Sequence, residues 1–286
     1  MKGSDSPFVI GKNNGRGKDC MGEWIRATAL PMEQLAAYSA FHIAFFLCGL
    51  LVVVPTAIFL SCRVCERQGD RILFAVGILL ALSEVYKQFF YTFYYGNGSY
   101  QWHMFPFQLC STPMYLCLLL PFVRKNKIRR SINGFLASFG LMGGFVSYLS
   151  PESMCRNTWN MTLHSFLWHM LLIFIGLYAG LRMVRAREVT LRGYVPVAGV
   201  YCGLGVIAFG INCLSYDAVG FDGTLTNMFY VGPHNSPLII CRDICARAGW
   251  GVNTVVYMLS LITCAFLFYL TFFLLSCVLK KRACEA

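Results

Sequence analysis

The sequence predicts an all-α polytopic membrane protein, a bundle of about seven transmembrane helices. Of its 286 residues, 57% are hydrophobic and 13% are charged, whereas soluble domains carry about 25% charged residues. The charges lie in short clusters, and the apolar stretches between them run for about 17 to 25 residues, the length of a helix that crosses a bilayer. Together these features exclude an ordinary soluble domain.

The apolar stretches also divide the chain into three parts. Residues 1–37 form an N-terminal tail, and we expect a short interfacial helix within residues 22–37. Residues 38–279 form the seven-helix transmembrane domain, and residues 280–286 form a cytoplasmic tail. The link 215–252 is too polar and too rich in Gly and Pro to cross the membrane, so we expect it to cover one end of the bundle. The predicted helices are 38–60, 71–94, 106–123, 131–149, 163–182, 194–214 and 253–279.

The distribution of Lys and Arg predicts the orientation, because cytoplasmic loops are enriched in these residues. The links after the first, third and fifth helices and the C-terminus are basic, whereas the other links hold only Arg156, Arg242 and Arg247. This asymmetry places the N-terminus outside and the C-terminus in the cytoplasm, although the tail before residue 21 is also basic. The net charge of +11 therefore reflects topology, and we expect no nucleic-acid partner.

Polar residues within the apolar stretches gather near the outer side. A charge at the centre of a bilayer costs about 2.5–3.5 kcal/mol on insertion scales, so such residues usually face a polar cavity. Glu84 and Lys87 are neighbours on one helix face, and a structural ion pair is the simpler interpretation of them. We predict a substrate cavity lined by Glu84, Lys87, Gln108, Asn212, Asn227 and His42.

A thiol and two imidazoles supply the candidate chemistry. A Cys nucleophile needs a base, and a neutral His is the usual one. We expect the third helix to open at Pro106, which places Cys110 in its first turns. His164 and His169 are five residues apart, about 140° around a helix, so both cannot point at one atom. We therefore predict that one is the base and that the other orients the reactants or donates to an oxyanion.

The sequence gives less support for a metal site or a particular disulfide. The five histidines and Glu84 lack the HxxxH spacing of a zinc site, so we expect no metal and no cofactor. Cys241 and Cys245 lie in the outer link, where either is able to form a disulfide with the other or with Cys20 or Cys155. The spacing does not choose among these pairings.

Four short motifs carry a resemblance to a known family. The string His103–Ser111, HMFPFQLCS, resembles the start of a helix in the bacterial YwaF-like integral membrane proteins. Three further pieces agree in order, namely 82–84, 164–169 and Asn212 followed by 227–230. The resemblance covers roughly residues 30–275. The same pattern is similar to transmembrane protein 164, an acyltransferase acting on phospholipids, and more remotely to the androgen-induced fatty-acid-ester hydrolases.

This resemblance implies roles for single residues. A Cys in the matching helix and a His two helices later form the catalytic pair of that acyltransferase, which here correspond to Cys110 and His169, with His164 in reserve. The sequence departs from the bacterial pattern at Met170, where a Gly is usual, and in the irregular link 232–237. The resemblance also implies the plasma membrane of a bacterium.

These observations lead to one leading hypothesis and two alternatives. The leading hypothesis is a lipid acyltransferase or acyl-ester hydrolase that forms a thioester on Cys110, with membrane lipids as its partners. The first alternative is a transporter or small-molecule-binding protein that uses the same cavity without acyl chemistry. The second is a membrane scaffold, for which the intramembrane charges have no evident purpose. The sequence does not predict an oligomeric state.

Overall fold

The computed structural model describes residues 20–233 and 239–285, and it confirms the predicted all-α bundle. Outside its helices, the described part of the chain holds two isolated β-bridges, Pro31–Thr158 and Val219–Leu225. The helices are α1 Cys20–Ala27, α2 Ala40–Arg63, α3 Glu66–Phe90, α4 Thr112–Leu119, α5 Asn126–Phe135, α6 Leu141–Leu149, α7 Trp159–Arg185, α8 Tyr194–Leu214 and α9 Ile239–Glu285.

Six helices among the described residues are long and apolar enough to cross a membrane. They are Ala40–Arg63, Glu66–Tyr95, Asn126–Leu149, Trp159–Arg185, Leu191–Leu214 and Asp243–Lys281. Two of them contain a π-helical turn, at Tyr91–Tyr95 after α3 and at Leu136–Gly140 between α5 and α6. The chain is therefore an integral membrane protein, and α7 and the Asn126–Leu149 helix form the buried centre of its bundle.

The third predicted helix is only half formed. The chain from Met104 to Phe122 runs antiparallel to α3, because Gln88 Nε2 donates to the Met104 carbonyl over 2.7 Å and Phe122 packs on Phe74 with ring centroids 6.1 Å apart. The α3 stretch between these contacts is about 21 Å long at 1.5 Å per residue. The segment thus passes between the same two ends of the bundle as α3.

The predicted start of that helix at Pro106 is wrong, because α4 begins at Thr112. Pro113 lies in the first turn of α4. Backbone N–H groups in a first turn have no partner within the helix, so a proline there removes no helical hydrogen bond. The helical half of the segment packs closely on α3 at Gly77. A Cβ added to Gly77 would lie 3.2 Å from the Leu118 nitrogen. Cys110 therefore precedes the helix and lies in irregular chain.

An ion-pair network joins three helices at one end of the bundle, which we call the basic end. The buried Asp70, in the first turns of α3, accepts from Arg129 of α5 over 2.5 Å and from Arg182 of α7 over 2.9 Å. Arg182 also donates to the Glu66 carbonyl over 2.8 Å. The starts of α3 and α5 and the end of α7 are thereby held together, in agreement with the clustering of basic links in the sequence.

At the opposite end, the interfacial helix is shorter than expected and spans only Cys20–Ala27. Its Ile25 is buried, whereas Trp24 is 61% exposed. Just beyond it, the hydroxyls of Thr28 and Tyr86 are hydrogen-bonded over 2.8 Å. The helix is thus attached to α3. The N-terminal residues 1–19 lie outside the described part of the chain.

The link before the last helix is also shorter than predicted. The chain is irregular after α8, but helix resumes at Ile239 rather than at residue 253. The first part of α9 ends at Gly249, whose φ of 82° is a conformation that glycine adopts without a Cβ clash. Helical structure on both sides of Gly249 therefore replaces the expected loop. Residues 234–238, which include His234, lie outside the described residues.

The cysteines of the predicted disulfide alternatives are placed in part. Cys20 is exposed and Cys155 is buried, and both carry free thiols. The side chain of Cys241 lies outside the described residues.

A loop from the α8–α9 link docks on the end of α3. The Phe221 ring stacks on Tyr95 at 4.8 Å, and its N–H donates to Gln101 Oε1 over 2.8 Å. His103 Nε2 lies 3.9 Å from Asp222 Oδ1, and the His103 side chain is only 6% exposed. The contacts combine an aromatic anchor with a pH-sensitive group.

Replacing Asp70 by Asn should destabilise the protein by about 3–5 kcal/mol, because two guanidinium groups lose a buried counter-charge. The matched control is Glu188→Gln, which removes a 2.7 Å pair with Arg130, a side chain that is 52% exposed. Exposed pairs contribute about 0–1 kcal/mol. Thermal unfolding in detergent measures both variants, and equal losses would contradict the assignment of Asp70 as the centre of the network.

Docking of the Phe221 loop should weaken as the pH falls below 6.5. Burial lowers the pKa of His103 from 6.5, although Asp222 opposes this shift. A lowered pKa means that the folded state binds the proton later than the unfolded state, so stability present above pH 6.5 is lost as the pH falls through the folded pKa. Burial raises the pKa of Asp222, but hydrogen bonds at Thr224, the nearby His103 and a hydrogen bond to its own backbone together lower that pKa below 3.8, so Asp222 does not titrate in this range.

Proteolysis of the 216–225 loop as a function of pH measures this docking. We expect cleavage to accelerate between pH 6.5 and 5 in the wild type and to vary less over that range in His103→Gln. Identical pH profiles for the two proteins would show that His103 does not control the loop.

Candidate functional site

Cys110 lies in the irregular segment before α4 and is held against α7. Its carbonyl accepts from Trp168 Nε1 over 3.0 Å. The neighbouring residues fix the same turn, since the Ser111 N–H donates to the Gln108 carbonyl and the Thr112 hydroxyl to the Leu109 carbonyl, both over 2.8 Å. The position of the half-buried thiol is thus set by tertiary contacts, because it precedes the regular helix.

His164 lies one helical turn before Trp168 on α7, and the two rings stack at 5.5 Å. Its ring lies near the backbone of Ser83 in α3. Its Nε2 is buried and has no hydrogen-bond partner among the described residues.

The hydrogen bond of His169 indicates its tautomer. Its Nδ1 lies 2.7 Å from the Ser165 carbonyl, one turn earlier on α7. Because a carbonyl only accepts, the proton is on Nδ1, and Nε2 is left as an acceptor, the arrangement that a general base requires. Around the helix, His169 lies 100° from Trp168, which contacts Cys110, and 60° from Phe166.

The ammonium of Lys87 links these groups electrostatically. It lies 2.8 Å from Glu84 Oε1, which also accepts from Gln88 Nε2 over 2.7 Å. Lys87 interacts electrostatically with Cys110 and with both histidines of α7. These interactions bring the polar stripe of α3 near the thiol and near both imidazoles, although the two imidazoles lie 140° apart around α7. Among the described contacts, no hydrogen bond joins the thiol to either imidazole.

The three predicted amide residues bind a loop instead of a cavity. Gln108 and Asn212 each donate to and accept from its backbone: Gln108 bonds the Asn227 carbonyl and the Phe229 N–H, each over 3.0 Å. Asn212 bonds the Met228 N–H over 2.6 Å and the Met228 carbonyl over 3.0 Å. Asn227 Oδ1 accepts the Gly232 N–H over 2.9 Å. We call residues 227–232 the clamped loop.

The clamped loop contains a conformation that the sequence did not reveal. Phe229 and Tyr230 have φ values of 54° and 53°, and each such residue costs of order 1–3 kcal/mol. The amide bonds hold this strained backbone in place. Tyr230 interacts electrostatically with Cys110, so the loop reaches the thiol. Local sequence offers no signal for Tyr230, because the strain depends on the distant Gln108 and Asn212.

His42 lies apart from these groups. Its buried ring stacks on Tyr148 at 5.9 Å and meets Phe166 edge to face at 5.6 Å. Phe166 and Trp168 are 200° apart on α7, so His42 and Cys110 lie against opposite faces of that helix. Both ring nitrogens of His42 are buried and have no hydrogen-bond partner in the described part of the chain.

An apolar groove of about 580 Å³ runs along α3 beside the site. Pockets for small ligands measure about 300–1,000 Å³. Val85, Phe89, Tyr100 and Tyr115 are all more than a third exposed, so the groove opens on the outer face of the bundle. Its lining consists of Ala81, Glu84, Val85, Gln88, Phe89, Thr92, Phe93, Tyr100, Pro106, Met114 and Tyr115. Glu84 is shared between the groove and the ion pair with Lys87.

Replacing Asn212 by Ala should destabilise the protein, because the N–H and carbonyl of Met228 lose their buried partners. An unsatisfied buried group costs about 1–3 kcal/mol. Thermal unfolding measures the loss, with Ser260→Ala as control, since that exposed hydroxyl only bonds its own helix. A stability equal to that of the control would contradict the clamping role of Asn212.

Comparison with known proteins agrees with this architecture. No curated protein and no solved structure gives a match. A family model, described as the TMEM164 family, matches residues 37–276, a range that runs from before α2 to the last turns of α9 and includes Cys110, His164 and His169. Because this match covers far more than half of the 286 residues, the chain belongs to the TMEM164 family.

Proposed function

We propose that the chain is a membrane-embedded lipid acyltransferase or acyl-ester hydrolase, with Cys110 as nucleophile and His169 as base. The observation that carries this proposal is the hydrogen bond of His169. The Ser165 carbonyl holds its Nδ1 proton and leaves the Nε2 lone pair as an acceptor. Lys87 interacts electrostatically with the Cys110 thiol and with the His169 imidazole, which supports a pairing of the two groups.

The reaction proceeds in two steps. His169 Nε2 takes the Cys110 proton, and the thiolate attacks the carbonyl carbon of an acyl ester. The tetrahedral intermediate expels the alkoxide, which takes the proton from the imidazolium, and a thioester remains. His169 then removes a proton from a hydroxyl of a lysolipid or of water, and that oxygen attacks the thioester and restores the thiol.

The contacts of the polar residues assign the supporting roles. The sequence placed Asn212 and Asn227 at the cavity, but Asn212 Nδ2 donates to the Met228 carbonyl and Asn227 Oδ1 accepts from the Gly232 N–H, so both side chains are directed to the clamped loop. Lys87 has three N–H donors and one described ion pair, with Glu84. We therefore assign stabilisation of the oxyanion to Lys87. Each donor of this kind is worth about 2.7–4 kcal/mol in known cases.

The groove along α3 supports a lipid substrate. It opens laterally, its lining is almost wholly apolar, and its polar group Glu84 lies next to Lys87. An acyl chain is able to enter from the bilayer and place its ester near the thiol. The membership of the family and the resemblance of residues 103–111 to YwaF-like proteins support the same chemistry. We further propose that the basic end faces the cytoplasm, because its links carry most of the Lys and Arg.

A transporter or small-molecule-binding protein is the second candidate, and one observation favours it. Transporters bind their substrates at interrupted helices, and here the chain from Phe105 to Ser111 is non-helical as it passes along α3. The π-helical turns at Tyr91–Tyr95 and Leu136–Gly140 are also a feature of functional sites.

Covalent labelling with a thiol-directed lipid ester probe tests the proposed chemistry. In a chain whose other cysteines are replaced by Ser, we expect Cys110→Ala to lose the label completely, and His169→Ala to slow labelling by roughly 10²–10⁴-fold, the usual contribution of a general base. His42→Ala is the matched control, because it removes an imidazole from the opposite face of α7, and its labelling rate should not change.

Two outcomes would contradict the proposal. Undiminished labelling of Cys110→Ala would exclude a thioester at this residue. A loss in His164→Ala alone, with His169→Ala unaffected, would transfer the role of base to His164. Substrate uptake into vesicles that persists in Cys110→Ala would instead support the transporter.

A further inference from the structure

The basic end contains a cavity that the proposed chemistry does not use. It has a volume of about 70 Å³ and lies between the start of α3, α5 and the end of α7. Its lining is Glu66, Asn126, Arg129, Arg130, Asn133, Arg182, Met183, Ala186 and Glu188. Cys110 and the α7 histidines lie towards the other end of the same helices, so this cavity is separate from the thiol.

Three guanidinium groups dominate the chemistry of this cavity. Arg129 and Arg182 share Asp70, and Arg130 pairs with Glu188 over 2.7 Å. Each guanidinium has five N–H donors in a planar fork, and the ion pairs described here use one or two of them. The three arginines therefore still have N–H donors available for a ligand after they have bound the neighbouring carboxylates.

Two buried polar atoms at the cavity have no partner among the described residues. Nη1 of Arg182 is a donor, and its side chain is only 11% exposed. Oδ1 of Asn133 is an acceptor, and that residue is 8% exposed. A buried polar atom without a hydrogen bond is costly. Both residues line the cavity, so a ligand there would satisfy a donor and an acceptor together.

We propose that this cavity binds the phosphate group of an anionic lipid, a phosphomonoester headgroup such as that of phosphatidic acid. At about 10–15 Å³ for each water-sized sphere, 70 Å³ holds about five such spheres, and a phosphate group has five heavy atoms. Arg182 Nη1 donates to one phosphate oxygen, and a protonated oxygen of the monoester donates to Asn133 Oδ1. Arginine suits this ligand because its fork matches phosphate oxygens.

The charge around the cavity favours an anion. Its carboxylates, Glu66, Asp70 and Glu188, balance the three arginines of the cluster. The surplus of positive charge comes from the rest of the basic end, in Arg63, Arg67, Arg71, Arg124, Lys125, Lys127, Arg185, Arg187 and Arg192. These cations attract an anionic ligand over about a Debye length.

The position of the cavity favours a lipid over a soluble anion. It lies at the ends of three membrane-spanning helices, where lipid headgroups lie, and basic pockets of this kind on the cytoplasmic side bind acidic headgroups. Exposed apolar side chains continue from it: Ile128 of α5 is 47% exposed, and Phe122, just before α5, is 71% exposed. These side chains give the acyl chains of the bound lipid a surface to lie on.

Thermal unfolding of the purified full chain in neutral detergent tests this site. The probes are dioctanoyl phosphatidic acid, dioctanoyl phosphatidylcholine and inorganic phosphate at equal concentrations. We expect phosphatidic acid to raise Tm with saturation, and the other two to give little or no shift. Arg130→Gln should weaken the apparent affinity for phosphatidic acid by about fivefold, the effect of one surface arginine on an anionic lipid.

Two further variants make the outcome specific to the cavity. Arg192→Gln removes one positive charge at the same end, outside the lining, and should change the affinity less than twofold. Asn133→Leu keeps the charge but fills the cavity, and should abolish the shift. Equal effects of Arg130→Gln and Arg192→Gln, or full affinity in Asn133→Leu, would overturn the proposal. An equal Tm shift with inorganic phosphate would show a soluble-anion site, and no shift with phosphatidic acid would reject the site.

Discussion

The buried ion pair between Glu84 and Lys87 is the interaction on which the rest of the structure depends. Charges inside a membrane-spanning helix are costly unless they face polar partners. The pair therefore requires a polar side to α3, and the chain supplies it with Gln88 and the α7 histidines. The segment around Cys110 packs against the same side and leaves the apolar face of α3 towards lipid.

The fold was predictable wherever helices are long and apolar. The six spanning helices overlap six of the predicted stretches, because hydrophobicity alone decides these segments in a bilayer. The segment at Pro106 was not predictable in this way. The side chain of Gln108 in this segment bonds backbone groups of Asn227 and Phe229, about 120 positions away. The local sequence pattern contains no information about such distant partners. For the same reason, the sequence did not predict the helix break at Gly249.

The candidate site was predictable in its composition but not in its roles. The cost of a charge in a bilayer identifies Glu84 and Lys87 as unusual residues in the sequence. Whether an amide side chain faces a ligand or a loop depends on how its helix is rotated about its axis and on which element packs against that helix. Asn212 bonds the clamped loop for this reason. His42 packs on Phe166, on the face of α7 opposite to Trp168, and the sequence does not show this.

Cross-linking tests most directly whether the thiol lies near the two histidines of α7. In a chain whose other cysteines are replaced by Ser, Cys110 is combined in turn with His164→Cys, His169→Cys and His42→Cys. A short bis-methanethiosulfonate reagent is added, and linked peptides are identified by mass spectrometry. We predict links from Cys110 to positions 164 and 169 and none to position 42. A link to position 42, or none to positions 164 and 169, would contradict the proposed site.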